Sequence, residues 1–546
     1  MNFKQDLIDL ISKQLNQSIT LEIPPSIDLG NYALHCYKLK IPPDQMQKQL
    51  RLPSYIKKTE IKGSYLNFFI NTSILTKSTI ESILKLKEKY GSNNSGKNKK
   101  ALVEHTSINP NASPHVGRAR NAIIGDFIVR LLKFESYKVE THYYVNDIGK
   151  QIAMLVLACK NKTPSFESLL NLYIDFNKKL ELTPSLEKEV FNLLNKLESG
   201  DKKIIKKFNK VVNICIKGQS KIFKKLDIIY DSFDFESKFL FDGSTDKILK
   251  DLAKTGKLFK DEEKRIAINL KEFSLPMENP YLPLTRADGT SLYMLRDIVY
   301  TIWKDKKAKD KNILVLGEDQ KLYYLQLKSI LSLLNYKAPE AVHYSFILLS
   351  SGKMSTRKGE VVLLEDFMKE AVLKAGEEII KRHGKIKNIN GLSKQIAYGA
   401  VKFAILKVSS DRNIIFDLDK ALSFEGDSAP YIQYACARAN SIIKKIKYKK
   451  SKIDFSLLNT KEEISLTSKL AEFQGIINSS IENLQPHLLA SYSLDVAKLF
   501  NEFYHSCPVL SSQEELKEVR LIIVRSTLIV LKNSLNLLGI SIPDSM

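Results

Sequence analysis

The segment Asn109-Pro110-Asn111-Ala112-Ser113-Pro114-His115-Val116-Gly117-Arg118 places a histidine, a glycine and an arginine immediately ahead of an apolar-periodic run. His115 can donate to a phosphate oxygen, and Gly117 lets the backbone come close to an adenine or ribose. Far downstream, Gly352-Lys353-Met354-Ser355-Thr356-Arg357-Lys358-Gly359 is a basic, glycine-bounded loop suited to holding a polyphosphate. Two carboxylates also stand out. Glu104 is an acid at the end of an apolar run, and Asp297 follows Tyr293 by four residues and so shares a helical face with it.

These groups need elements to position them. ALVEHTS (101–107) reads as a short buried strand, and Ile123, Ile124, Phe127, Ile128, Leu131 and Leu132 recur at helical spacing. A strand, a Pro- and Asn-rich turn and a helix therefore follow one another. In an open α/β sheet nucleotides bind at such a strand end, where the helix N-terminus offers unpaired N–H groups and the positive end of its dipole. His105 alternates to the opposite face of the strand from Glu104 and reads as a core histidine.

With 546 residues the chain has room for two to four domains. Its formal charge of +23 favours a polyanionic partner such as RNA, unless it reflects only a lysine-rich composition across the whole organism. Cys36, Cys159, Cys215, Cys436 and Cys507 are far apart and form no C-x-x-C, which predicts neither a disulfide framework nor a zinc site. The opening MNFKQDLIDLISKQL mixes acids and bases and puts Phe3, Leu7, Leu10, Ile11 and Leu15 on one face, a packing helix rather than a leader. No apolar run reaches transmembrane length, so a cytoplasmic protein with no membrane partner is expected.

The pair of segments resembles the HIGH and KMSKS signatures of class I aminoacyl-tRNA synthetases, in that order. YYVNDIGKQI (143–152), DGTSLYMLRDI (288–298), SFEGDSAPYIQYACAR (423–438) and the final LGISIPDSM are similar to arginyl-tRNA synthetases in particular, across essentially the whole chain. The resemblance implies a multi-domain α/β protein. Residues 1–90 would be an N-terminal tRNA-contacting α+β domain, with an opening helix, a strand around LEIP, a helix over ALHCYKLK and an alternating strand in IKGSYLNFFIN. GSNNSGKNKK (91–100) reads as a linker. Residues 101–405 would be a Rossmann-type parallel-sheet catalytic domain with a helical insertion at about 158–235, its second half bringing the β-rich runs RIAINL, NILVLG and HYSFILL. Residues 406–546 would be an all-α helical bundle that binds the anticodon.

The resemblance also implies residue roles. His115 and Lys353 would be catalytic, and His115, Gly117, Arg118, Lys353, Met354 and Arg357 would hold ATP with its Mg2+. Two positions depart from the signatures: Arg118 replaces the second histidine and Thr356 the second lysine. Arg118 would either supply a charge-assisted bond or point outward. Asn109 and Gln320 would take the α-amino and carboxylate end of arginine, and Glu104, Tyr293 and Asp297 its planar guanidinium. His142, Tyr144, Asn146 and Asp147 would line the cleft. For tRNA the candidates are Tyr65 and Asn67, then Tyr431, Tyr434 and Arg438 at i, i+3 and i+7 of one helix face, and Met546. The expected activity is that of a monomeric arginine–tRNA ligase using L-arginine, ATP and tRNA(Arg). The rival readings are a class I synthetase for another amino acid and a catalytically silent RNA-binding paralogue.

Overall fold

A computed structural model of the chain describes residues 3–160, 162–349, 362–384, 388–446 and 453–544. Its centre is a five-stranded parallel sheet in the order Glu340–Tyr344, Lys311–Gly317, Lys100–Glu104, Lys138–Val145, Ser232–Phe235. Ala101, Leu102 and Val103 are buried, as expected of a strand covered by helices on both faces. The first strand in sequence lies in the middle. The chain adds two strands on one side of it and returns to add two on the other, so the connections leaving Glu104 and Gly317 diverge and open a crevice between them.

Val116–Phe134 is the first crossover helix. Its apolar residues reach the main core, and Gly125 lets it lie directly on His105, whose ring a Cβ at that position would meet at 2.2 Å. His105 is 1% exposed and hydrogen-bonds Thr106 Oγ1 at 2.8 Å, the core role expected of it. Arg120, fully buried, donates to the carbonyls of Ser345 and Arg412 at 2.7 Å and of Ser409 at 2.9 Å, tying this helix to the segments beyond the fifth strand.

The insertion supplies three helices, Leu169–Leu182, Leu186–Glu198 and Lys202–Lys225. The sheet resumes at Ser232–Phe235, inside the stretch expected to be insertion, because those four residues pair with His142–Val145. RIAINL does not join the parallel sheet. It contributes Ile266–Asn269 to a separate antiparallel sheet with Leu258–Lys260 and Tyr281–Pro283. HYSFILL is split between Glu340–Tyr344 and a short strand Ile347–Leu349, which pairs with Ile414–Phe416.

At the N-terminus, Phe3, Leu7 and Ile11 are buried on one face of Phe3–Leu15. The helix expected over ALHCYKLK is instead a strand, Tyr32–His35, followed by a 3-10 turn, Cys36–Leu39. Pairing with Tyr65–Ile70 satisfies its backbone and buries Ala33 and Leu34, which outweighs the local helix pattern. The strand around LEIP reduces to a single bridge between Glu22 and Ala33. IKGSYLNFFIN spans a hairpin, Ile56–Lys62 against Tyr65–Ile70.

The stretch read as a linker is packed. Asn93 N, Ser95 N and Ser95 Oγ donate to the buried Glu135 carboxylate at 3.0, 2.9 and 2.8 Å, and Gly91 sits against Phe473. Helices begin before residue 406, with Leu364–His383 and Ile389–Leu406, and continue through Ala429–Lys445, Lys461–Ala471, Phe473–Asn483, Pro486–Ser506 and Glu514–Leu537. Among the described residues no helix is long and apolar enough to cross a membrane.

Candidate active site and nucleic-acid groove

The crevice between the first and fourth strands holds a cavity of about 330 Å³. Strand and turn geometry explain its lining. Glu104 ends the first strand, Asn109 and Arg118 come from the turn and helix that follow it, and Gln320 from the 3-10 turn after the fourth strand. Asp297 and Lys304 project into it from Tyr293–Ala308. Of the residues expected to hold arginine, the fold therefore brings Glu104, Asn109, Asp297 and Gln320 together. Tyr293 is 57% exposed and does not line the cavity; its ring leans on that of Tyr323, centroids 5.5 Å apart, and Tyr323 does.

The two carboxylates differ in their partners. Glu104 is buried, takes a hydrogen bond from Ser107 Oγ at 3.3 Å and forms an ion pair with Lys304, itself only 1% exposed. Among the described residues no cation is bonded to Asp297. The Tyr323 hydroxyl donates to Asp297 Oδ2, and the buried Tyr144 hydroxyl faces the same carboxylate without an ordinary hydrogen bond. Burial pushes the Asp297 pKa up, the tyrosine hydroxyls pull it down, and Glu104 and Lys304 act on it with opposite signs. The cavity is thus lined by three acids, Glu104, Asp297 and the exposed Asp319, and by two cations, Lys304 inside and Arg118 at the rim, a net charge of −1. A group with one positive charge and several donors completes the balance.

Lys304 and Tyr323 are functional-site residues that motif reading missed. Lys304 was within reach: it lies seven residues after Asp297 on one helix, hence on the same face. Tyr323 had no comparable local signal.

His115 is the N-cap of Val116–Phe134, yet its side chain does not cap the helix. Its Nδ1 is buried without a partner, and burial, then the charge of Arg118, lowers its pKa to about 4. It is therefore a neutral imidazole at physiological pH. Arg118 is exposed at the cavity rim. The backbone on either side of His115 is clasped by the segment after the basic loop: Val116 N donates to Val362 O at 3.0 Å and Leu364 N to Pro114 O at 2.9 Å. Lys353, Met354, Thr356, Arg357 and Met546 lie outside the described residues.

Comparison with known proteins bears on this geometry. A family model described as the class I tRNA synthetases (R), catalytic domain, matches residues 79–418, and one for the DALR anticodon binding domain matches residues 432–546. The arginine–tRNA ligase of Methanocaldococcus jannaschii is 36% identical with all of both chains covered, and that of Methanocella arvoryzae is 38% identical over 90% of this chain and 88% of its own. The Thermus thermophilus arginyl-tRNA synthetase superposes with a TM-score of 0.86 at 26% identity, each chain fully covered. The chain belongs to the arginyl-tRNA synthetases. A Plasmodium falciparum arginyl-tRNA synthetase shares the fold at a TM-score of 0.83 and 19% identity, covering 100% of this chain and 99% of its own.

Tyr431, Tyr434 and Arg438 share an open groove of about 960 Å³ with Lys498, Asn501 and His505. Arg438 lies between the rings of Tyr434 and Tyr504, 5.0 and 4.4 Å from their centroids, and donates to Asn501 Oδ1 at 2.7 Å. The two rings and the guanidinium are thus in cation–π contact on one side of the groove. Tyr65 is partly exposed, its hydroxyl bonded to Glu22 at 3.3 Å, but Asn67 is only 4% exposed between its two neighbouring strands. Of the other expected cleft residues only Tyr144 lines the cavity. His142 is fully buried and bonded to Asp234 at 2.6 Å, and Asp147 caps Ser237 N at 2.9 Å, so both hold the sheet edge.

Proposed function

We propose that the chain is an arginine–tRNA ligase, which activates L-arginine with ATP to arginyl-adenylate and esterifies the 3′-terminal adenosine of tRNA(Arg). The observation that carries this reading is the charge arrangement in the cavity, where Asp297 is held by the Tyr323 hydroxyl with no cation bonded to it among the described residues, and Glu104 beside it is paired with Lys304. A planar guanidinium fits there, with Asn109 and Gln320 at the mouth for the α-amino and carboxylate end. His115 serves as a neutral donor to ATP, Lys353 and Arg357 neutralise charge on the leaving pyrophosphate, and the backbone at Met354 contacts ATP. Magnesium enters with ATP as part of that substrate.

The domain roles follow: 1–90 and 406–546 contact tRNA, while 101–405 performs catalysis in a cytoplasmic monomer. The lysine-rich helix Lys202–Lys225 supports an RNA partner. It has nine lysines and no acid, and Lys202, Lys203, Lys206 and Lys207 crowd the positive end of the helix dipole. Charging of total tRNA with labelled arginine, lysine and glutamine tests the function. Arginine alone is expected to be attached. Charging with none of the three would make the silent RNA-binding paralogue the better reading.

A further inference from the structure

Lys304 stands beside Glu104, where an ammonium bound to that carboxylate would lie. Its Nζ pairs with one Glu104 oxygen and sits 4.4 Å from the Tyr300 ring centroid, while the other oxygen is oriented by Ser107. Both members of the pair are almost completely enclosed, so water screens them little. We infer that Lys304 is a specificity-determining positioning residue whose built-in ammonium excludes L-lysine from the arginine pocket. The inference rests on the proposed function and adds to it the means of discrimination.

The argument is one of shape and charge. A substrate guanidinium is wide and planar, with five donors, and can bond Asp297 while turning an edge toward Glu104. It can do so without displacing Lys304. A substrate ammonium is a compact point charge that must approach a carboxylate closely, and the Glu104 oxygen that would serve best already faces Nζ. Lysine must then either meet a like charge in a poorly screened site or bind Asp297 alone. Selectivity arises from repulsion of the wrong substrate as well as attraction of the right one. Neutral citrulline would be rejected differently, by leaving Asp297 without a cation.

The test is calorimetric titration of the full chain, and of Lys304→Met, Lys304→Gln and Lys304→Arg, with L-arginine, L-lysine and L-citrulline. The unmodified protein should prefer arginine; preference for another amino acid would refute the proposed function itself. In Lys304→Met the arginine-to-lysine affinity ratio should fall at least about tenfold through a gain for lysine, because the repulsion is gone. Lys304→Gln keeps a hydrogen bond to Glu104 and should show the same fall, which covers the case in which the methionine variant does not fold. Lys304→Arg retains the charge and should keep the ratio. An unchanged ratio in a cooperatively melting Lys304→Gln, or a fall confined to arginine, would overturn the inference.

Discussion

At the residue scale Glu104 and Asp297 are unequal: Glu104 is paired with Lys304, and Asp297 is held by the Tyr323 hydroxyl. Asp297→Asn removes the carboxylate that has no bonded cation and leaves the Tyr323 hydroxyl a poorer acceptor. Losing one charged partner of a buried pair costs roughly 2–5 kcal/mol, so kcat/KM for arginine should drop at least about thirtyfold. KM for ATP should hardly change if Asp297 holds the arginine side chain as proposed. Steady-state ATP–pyrophosphate exchange, with tRNA present, separates the two constants.

His115 supplies a second residue-level prediction. Its folded pKa of about 4 lies below the ordinary 6.5, because burial penalises the imidazolium. The unfolded chain therefore takes up this proton first as pH falls. The neutral ring's contribution to stability is full above about 6.5 and is lost as pH drops toward 4. His115→Gln should flatten the acid limb of the stability curve in that window, read by denaturant melts at stepped pH. In the unmodified protein the His115 ring resonance should not titrate above pH 5.

At the element scale, helix Lys202–Lys225 carries a conflict that a partner would relieve. Lys202–Lys206, Lys203–Lys207, Lys206–Lys210 and Lys217–Lys221 are like-charge pairs one turn apart, each unfavourable by about 0.2–0.5 kcal/mol. On the opposite face, Gln219 donates to the carbonyls of Ala112 at 2.9 Å and Asn109 at 3.2 Å, so the same helix props the His115 turn. Changing Lys203, Lys206, Lys207 and Lys210 to Gln together should leave the melting temperature unchanged or slightly higher. The dependence of log tRNA affinity on log salt should become shallower by about one to three units. Fluorescence titration with tRNA at several salt concentrations measures this; an unchanged slope would remove the helix from the RNA-binding surface.

At the scale of the whole molecule, the last described residues are fastened to three separate parts of the chain. Buried Lys402 donates to Gly539 O at 2.7 Å and Gln433 to Ser541 O at 2.7 Å, while Asn533 donates to Lys87 O at 2.9 Å on the N-terminal side. Burial, partly offset by Asp126, brings the Lys402 pKa down to about 8. Truncation after Leu538 removes both acceptors: Lys402 Nζ loses its hydrogen bond, and Gln433 Nε2 keeps only a 3.4 Å bond to Gln395 O, where a buried donor left unpaired costs about 1–3 kcal/mol. The truncated protein should melt several degrees lower, and arginine activation should weaken because Lys402 faces Asp126 on helix Val116–Phe134, whose N-cap is His115. A truncated chain with unaltered melting and activation would show the tail to be dispensable.

What the sequence by itself determined was local. The turn at 109–118 and its helix, the core role of His105, and the shared face of Tyr431, Tyr434 and Arg438 all follow from spacings of a few residues, which backbone geometry converts directly into position. Glu104 and Asp297 were legible as acids out of place. The tertiary structure alone decided which acid is already neutralised, because Lys304 stands two hundred residues from Glu104 along the chain. It alone turned ALHCYKLK into a strand by offering it a partner, packed 91–100 onto Glu135, and withdrew His142 and Asp147 from the cleft. The reason is physical in each case: a local pattern fixes which face a residue occupies, but charge balance and ladder pairing depend on groups that only folding brings within a few ångströms.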